Sequence, residues 1–515
     1  MNGGRITLAL SALAALAVLA PLVVLAFLAA GAEVGFDARS AEIAVNSILL
    51  AALTTLGASA IGVPIALVTS HADLKYRKLW LALLAAPLAI PSYIGAFAWF
   101  AAFGPGGEIA RLTGVTTPGA RGLLGAAAVM TLYTYPFVLL TTRAALARLD
   151  GTQVDAARSL GLSLHQAILR IVLPGVRAGI AAGALLVALY ALSDFATPAI
   201  LGVDTFTRMI YIEYNAFGLD RAAMLSLQLL ALVGVVLWLE SRVGVERGAP
   251  GRRLEIALPE RLKWAMMGMM VLVFAAAVLL PAFVFGLWLL RDGAGGFDPV
   301  LIWNSAWPSL LAALAAVVVA TPVAFAAAQG GAGRLFERIT SLGFGIPGIV
   351  LATALVYVGL RLDFLYQTLA LLVAGYVLRF LPLAAGALRT SAERIDANLI
   401  GAARSLGASR FETFRRIGVP LVMPGIIAGA ALVFLEAMRE LPATLLLRPT
   451  GLETLTTELW QVFEAGYFGR AAVPGLLLIA VSALALVVML SGEGLLERSR
   501  APAGRRVARA GETGT

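Results

Sequence analysis

The sequence predicts an all-α membrane protein with twelve transmembrane helices in two parallel six-helix repeats. Three observations predict it. The composition is too apolar for a soluble domain of this size, apolar runs of membrane-spanning length recur along the chain, and the second half of the chain repeats the first.

Of the 515 residues 60% are hydrophobic, only 13% are charged, and mean hydropathy is +0.90. A soluble surface needs far more charge than this. The chain has no cysteine, which excludes disulfides, thiol catalysis and thiolate metal sites. His71 and His165 are the two histidines and lie far apart, so no histidine-rich metal site is expected and no metal ligand is assigned. The net charge of +9 does not point to nucleic acid, because the positive charge is concentrated in alternate loops.

A bilayer core of about 30 Å takes roughly 20 apolar residues as a helix. Twelve runs meet that need, spans 1 to 12 in order: 7–30, 43–69, 79–103, 122–142, 177–198, 222–240, 264–290, 303–328, 340–360, 366–388, 421–446 and 471–491. Spans 5 and 11 each contain acidic residues. Span 1 is longer than the apolar region of a signal peptide, about 7–15 residues, and is read as a span. With the N-terminus inside, about 28 of the 39 Lys and Arg residues fall in inner segments, about 9 in outer loops, and Arg379 and Arg439 within spans. Both termini are therefore expected to be cytoplasmic.

The repeat is explicit. Ala156-Ala157-Arg158-Ser159-Leu160-Gly161 recurs as Ala402-Ala403-Arg404-Ser405-Leu406-Gly407, 246 residues later. Pro136, Arg143, Asp150, Arg170 and Pro174 return at the same offset as Pro382, Arg389, Asp396, Arg416 and Pro420. Asn46-Ser47 and Pro64 return as Asn304-Ser305 and Pro322, 258 residues on, so the first half carries extra residues, assigned to the Gly-rich stretch 104–122. Six spans per repeat give both halves the same orientation, related by an axis along the membrane normal. The expected organisation is a first half 1–245, a charged linker 246–263, a second half 264–497 and a basic tail 498–515.

The motif with functional content lies in two long inner loops, about 143–176 and 389–420. The first reads Asp155-Ala-Ala-Arg-Ser-Leu-Gly161, nine residues, then Ile171-Val-Leu-Pro174. The second reads Gly401-Ala-Ala-Arg-Ser-Leu-Gly407, nine residues, then Ile417-Gly-Val-Pro420. Small, apolar and basic residues alternate as in a short helix. Gly161 and Gly407 would end that helix, and Pro174 and Pro420 would begin the next. Such a helix, lying along the membrane, can enter a groove on a partner.

This spacing resembles the signature loop of ABC-importer permeases, in which Glu-Ala-Ala, three residues, Gly, nine residues and Ile-x-Leu-Pro form a helix that contacts the ATPase subunit. Here Asp155 and Gly401 stand at the glutamate position and Val419 at the leucine position. The resemblance implies the type I importer permease fold and the same coupling role for Asp155, Ala156, Ala157, Gly161, Pro174, Gly401, Ala402, Ala403, Gly407 and Pro420. It also implies two ATPase subunits on the cytoplasmic side, a periplasmic substrate-binding protein, and residence in the cell inner membrane. The chain has no G-x-x-x-x-G-K-[ST] sequence, and none of its lysines (Lys75, Lys78, Lys263) follows a glycine. No cofactor is therefore expected on this chain, and ATP and Mg are expected on the partner. It is read as a transporter subunit, not an enzyme.

After each loop comes a second repeated element, Leu192-Ser-Asp194-Phe-Ala-Thr-Pro198 and Met438-Arg-Glu440-Leu-Pro442-Ala-Thr-Leu-Leu-Leu-Arg448-Pro449. The latter closely resembles the K-E-L-P-A-T-L-L-L-R-P stretch of ferric iron permeases. The S-D-F element is similar to that family and to its thiamine and spermidine/putrescine relatives. Ferric ion prefers oxygen donors, and ionisable groups within spans are functional candidates. Asp194, Glu436 and Glu440 are thus translocation-path candidates, Glu436 one helical turn from Glu440. Two readings stay open: Asp194 and Glu440 line one opening, or Glu440 pairs with Arg439 or Arg379 while Asp194 caps a helix. Tyr211, Glu213 and Tyr214, in an outer segment, face either substrate, a receptor or the interfacial belt. The rivals to an importer permease are a secondary transporter, which would not need the doubled motif, and a membrane-embedded enzyme, which the scarcity of His and Cys disfavours.

Overall fold

The computed structural model describes residues 2–31, 37–71, 75–115, 120–243, 259–294, 296–393 and 397–484. Most of the linker, the tail and the end of span 12 lie outside them. Among the described residues every regular element is helical.

Among the described residues eight helices are long and apolar enough to cross a membrane by themselves. Three further pairs of helices pass that test jointly but are sharply bent, giving up to eleven. The twelfth run begins with a 17-residue apolar helix, Phe468–Leu484, and continues outside the described residues. The bends correct the sequence reading of spans 3 and 9 as single runs. Span 3 breaks between Leu88 and Ser92 by 86°, and span 9 between Gly345 and Gly348 by 100°. The cause is the same in both: Ile90-Pro91 and Ile346-Pro347. Proline has no N–H to give the ladder and disfavours helical conformation in the residue before it. Pro91 and Pro347 hold φ −59°, ψ 136° and φ −56°, ψ 138°, and each is the residue from which a new helix starts. The third bend, 67°, joins Leu164–Gly175 to Arg177–Ser193.

Spans 5 and 11 end earlier than expected, at Ser193 and Met438. Short helices Ala196–Leu201 and Pro442–Leu447 follow. The side chains of Asp194 and Glu440 accept from the first amides of these helices and so terminate the spans.

Within each half, spans pack through small residues, as expected where lipid removes the hydrophobic drive. A Cβ added to Gly179 or Gly183 would lie 2.6 Å from Ala145 or 2.3 Å from Thr141. At the equivalent Gly425 and Gly429 of span 11 it would meet Ser391 at 2.5 Å and Ala384 at 3.1 Å. Spans 5 and 11 therefore carry matching Gly-x-x-x-Gly faces against spans 4 and 10.

The two sequence halves interlock. Span 1 packs on spans 8 and 9 of the second half, and Ser11 Oγ donates to the Pro322 carbonyl (3.0 Å). Span 7 packs reciprocally on spans 3 and 4. There the Tyr133 hydroxyl donates to the Ala277 carbonyl (2.8 Å) and the Trp288 indole to Glu108 (2.8 Å).

Candidate functional site: paired exposed helices and a central polar cluster

The two motif copies form the same object twice. Gly151–Ser159 and Ala397–Ser405 are nine-residue helices. In the first, Asp150 caps the start, accepting from the Thr152 amide at 3.1 Å; its counterpart Asp396 lies outside the described residues. Both ends close in one pattern. Leu162 N–H donates to the Ala157 carbonyl and Ala408 N–H to the Ala403 carbonyl, each at 3.1 Å, across Gly161 at φ +92° and Gly407 at φ +88°. This left-handed closure is the one glycine adopts without strain.

After each glycine a serine restarts the chain. Ser163 and Gln166 make a reciprocal capping box, and Ser409 accepts from Glu412. Then comes a π-turn, Ile168–Val172 or Phe414–Gly418, immediately ahead of the helices that hold Pro174 and Pro420 near their first position. A π-turn absorbs the hydrogen bond that proline cannot make. Pro174 and Pro420 are both solvent-exposed.

The exposed faces match as well. Val154 and Ala157 are buried against the chain's own body, and Ala403 is half-buried. Asp155, Ala156, Gly401 and Ala402 face outward. Leu160 and Leu406 end the two helices with 84% and 89% of their surface exposed. Asp155, Arg158, Gly161 and Ser163 border a shallow groove between this helix and the next.

These helices lie at one end of the molecule. The Gly122 amide at the start of span 4 donates to the Leu201 carbonyl at 2.7 Å, so the short helix Ala196–Leu201 sits at the opposite end of span 4 from Leu146 and the motif. The 17 residues of Arg177–Ser193 then separate Asp194 from the motif end by about 25 Å at 1.5 Å per residue.

Between the halves the sequence candidates gather in a polar cluster. Asp194 Oδ1 accepts from the amides of Ala196 (3.1 Å) and Thr197 (3.4 Å). Oδ2 takes the Ser92 hydroxyl at 2.6 Å, which in turn accepts from the Tyr190 hydroxyl at 3.2 Å. In the second half Glu440 Oε1 accepts from the Ala443 amide (3.2 Å), and Oε2 lies 3.5 Å from Arg379 Nε. Where the first half has Ser92, the second has Gly348. A Cβ there would fall 2.3 Å from Arg379 Nη1 and 2.4 Å from Glu440 Oε1, so the glycine makes room for the ion pair. Glu436 is bound twice by Arg439, through Nε at 3.1 Å and through Nη2. Asp194 and Glu440 thus both cap helices and both stand in the cluster. Among the described residues no group of three or more His, Cys, Asp or Glu is arranged to hold a metal ion.

The Asn-Ser pairs of the repeat also acquire a role. Ser47 Oγ accepts the Phe206 amide at 3.1 Å and Ser305 Oγ the Leu455 amide at 2.8 Å, fixing helices Phe206–Asn215 and Leu455–Ala465. These two helices close the cluster on its motif-distant side with aromatic rings. Phe195 lies 4.8 Å from Tyr211 and 5.0 Å from Trp460, and Phe97 lies 5.6 Å from Phe463. Tyr211 and Tyr214 therefore sit on a helix that packs across the halves. At the start of the second helix, burial would raise the Glu453 carboxyl. Hydrogen bonds from Arg448, Gln461 and Thr457 outweigh it and hold Glu453 below the ordinary glutamate range.

Sequence reasoning did not find Ser92, Tyr190, Gly348 or the aromatic closure. The paired Ile-Pro-Ser and Ile-Pro-Gly breakers were the available signal for the first and third.

A repeated bundle of membrane-crossing helices, with spans broken around a central polar cluster and twin exposed helices at one end, defines a membrane permease. The family model for the inner membrane component of binding-protein-dependent transport systems matches residues 58–242 and 320–500, more than half of the chain, and the chain belongs to that family of multi-pass inner-membrane proteins. It is 28% identical over 474 residues to the Fe(3+)-transport system permease protein FbpB 2 of Haemophilus influenzae, covering 89% of this chain and 91% of that one. It is 34% identical over 197 residues, 38% of this chain and 72% of the relative, to a probable molybdenum ABC transporter permease protein of Haloferax volcanii. Over 66 residues, 13% of this chain and 24% of the relative, it is 52% identical to the spermidine/putrescine transport system permease protein PotB of Escherichia coli.

Proposed function

We propose that this chain is the membrane permease of an ATP-driven importer of ferric iron. The observation that carries the class is the pair of identically closed helices at residues 151–159 and 397–405, each ending in an exposed leucine. A soluble motor that grips both can pull the interlocked halves relative to one another. In this reading Asp155, Ala156, Ala157, Gly161, Pro174, Gly401, Ala402, Ala403, Gly407 and Pro420 form the coupling surface for two ATPase subunits. Those subunits hold the ATP and Mg. The chain has twelve spans, with both termini on the cytoplasmic side, and a periplasmic binding protein delivers the cargo at the aromatic-closed end.

Iron rests on similarity that spans nearly the whole chain, whereas the molybdenum and polyamine similarities are partial. Asp194, Glu436 and Glu440 supply oxygen donors of the kind ferric ion prefers. The second cargo weighed is an oxyanion, on the partial similarity to a molybdenum permease; Arg379 and Arg439 stand in the cluster, each paired with a glutamate.

Uptake decides between them. Proteoliposomes holding the chain with its ATPase and binding protein should accumulate radiolabelled iron on addition of ATP and should not accumulate molybdate. ATP-driven molybdate uptake without iron uptake overturns the iron assignment. Uptake driven by an ion gradient with no ATPase present overturns the class.

A further inference from the structure

We propose that Arg439 is the clasp that holds the two halves together across the translocation path, and that it must let go each time the path opens. The proposal deepens the permease reading and rests on it.

Arg439 follows the end of span 11, in the second half. Two of its nitrogens hold Glu436 on its own helix. The remaining arm, Nη1, crosses to the first half and donates to the Ala89 carbonyl. That carbonyl belongs to the residue ending the first piece of broken span 3, where a helix leaves carbonyls without intrahelical donors. The connection is returned from Tyr93, just beyond the break, whose hydroxyl donates to the Arg439 carbonyl at 3.3 Å. One residue of the second half is thus tied to both sides of the break in the first half.

The surroundings point to gating rather than passive packing. A guanidinium at membrane depth is costly and persists where it does something. Here it is half-buried, at 23% exposure, with Glu436 at 27%. The groups in electrostatic reach of Tyr93 are Arg439, Glu440, Tyr190 and Asp194, so the clasp lies in the middle of the polar cluster.

The clasp is not repeated. At the repeat offset Arg439 corresponds to Ser193 and Glu436 to Tyr190, neither of which offers a long cation. This tie therefore has no counterpart at the repeat-related position. When the halves part, Arg439 loses Ala89 and keeps Glu436, so no unpaired cation is left in the path.

The natural absence of cysteine makes the test direct. Spin labels at Leu112→Cys and Phe364→Cys, both exposed and outside the cluster, report the separation of the motif-distant ends of the halves. In the full complex Arg439→Ala should shift that distance distribution to longer values and raise ATP hydrolysis in the absence of binding protein at least threefold. Arg439→Lys, which can still reach a carbonyl, should restore both. Tyr93→Phe removes only one hydroxyl and should give a smaller shift in the same direction, which keeps the test open if Arg439→Ala does not fold. A distance distribution unchanged in both Arg439→Ala and Tyr93→Phe overturns the clasp. A shifted distribution in a chain that leaves ATPase turnover untouched supports the clasp and fails the ATPase reading instead.

Discussion

Gly161 and Gly407, 246 residues apart, hold the same left-handed backbone conformation, at φ +92° and +88°, and close two helices of nine residues each. Nothing lies within 4 Å of a Cβ built on either one. Their glycine requirement is therefore one of backbone conformation and not of space. Replacing both with valine should cost about 1–2 kcal/mol per site in local strain, unwinding the closures while the spans stay inserted. Co-purification of the ATPase from membranes checks this: the double variant should retain a small fraction of it, and full retention would count against the coupling role.

Leu160 and Leu406 stand at the ends of those helices with nearly all of their surface in solvent. Burying a leucine contributes roughly 1.5–3 kcal/mol. Leu160→Ala and Leu406→Ala should each weaken ATPase binding by about tenfold or more and leave the thermal unfolding of the isolated chain unchanged. Titration calorimetry or a pull-down at graded ATPase concentration measures it. Equal affinity for both variants and the parent protein would show that these leucines touch no partner.

Gly348 and Ser92 occupy equivalent places after the two Ile-Pro breaks. Gly348→Ala would put a carbon 2.3 Å from Arg379 Nη1 and 2.4 Å from Glu440 Oε1. Neither atom is free to give way, because Arg379 also donates to the Ile346 carbonyl and Glu440 accepts from Ala443. Overpacking of this kind costs about 1–3 kcal/mol. The thermal midpoint of Gly348→Ala in detergent should fall by several degrees. Ser92→Gly, which loses a hydrogen bond worth about 1 kcal/mol, should lower it less. An unshifted midpoint for Gly348→Ala contradicts the packing described.

Much of this was legible in the sequence. The twin helices at 151–159 and 397–405 depend on neighbours within a few residues: a glycine that ends a turn, a serine that caps the next, a proline that fixes a start. Those signals survive in the string and repeat at one offset. The early ends of spans 5 and 11 were less visible, since Phe195–Leu201 and Leu441–Leu447 continue the apolar run and only Asp194 and Arg439-Glu440 mark the stop. The bends in spans 3 and 9 were written in Pro91 and Pro347 but masked by hydropathy, which averages over them. The exchange of spans 1 and 7 between halves, and the reach of Arg439 to Ala89, join residues hundreds of positions apart. No local rule states them.

Glu453 adds a pH dependence outside the spans. Its carboxyl is held below the ordinary glutamate range by Arg448, Gln461 and Thr457, against the opposing effect of burial. A depressed folded-state value means that the stabilisation is fully present above the unfolded value of about 4.3 and is lost as pH falls through the folded one. Glu453→Gln should therefore lower the thermal midpoint at pH 7, and the gap from the parent protein should close as pH is reduced below about 4. A gap independent of pH would mean that the carboxylate's charge contributes nothing there.

The most direct test of the account places a single cysteine at Leu160 or at Leu406 in this naturally cysteine-free chain and treats the assembled complex in its own membrane with a short bifunctional thiol-to-amine crosslinker. The account predicts that each variant captures one ATPase subunit, and that the pair together captures two. A cysteine at exposed Phe217, at the opposite end of the molecule, should capture none. Failure of both Leu160 and Leu406 positions to capture an ATPase, or equal capture from Phe217, would contradict it.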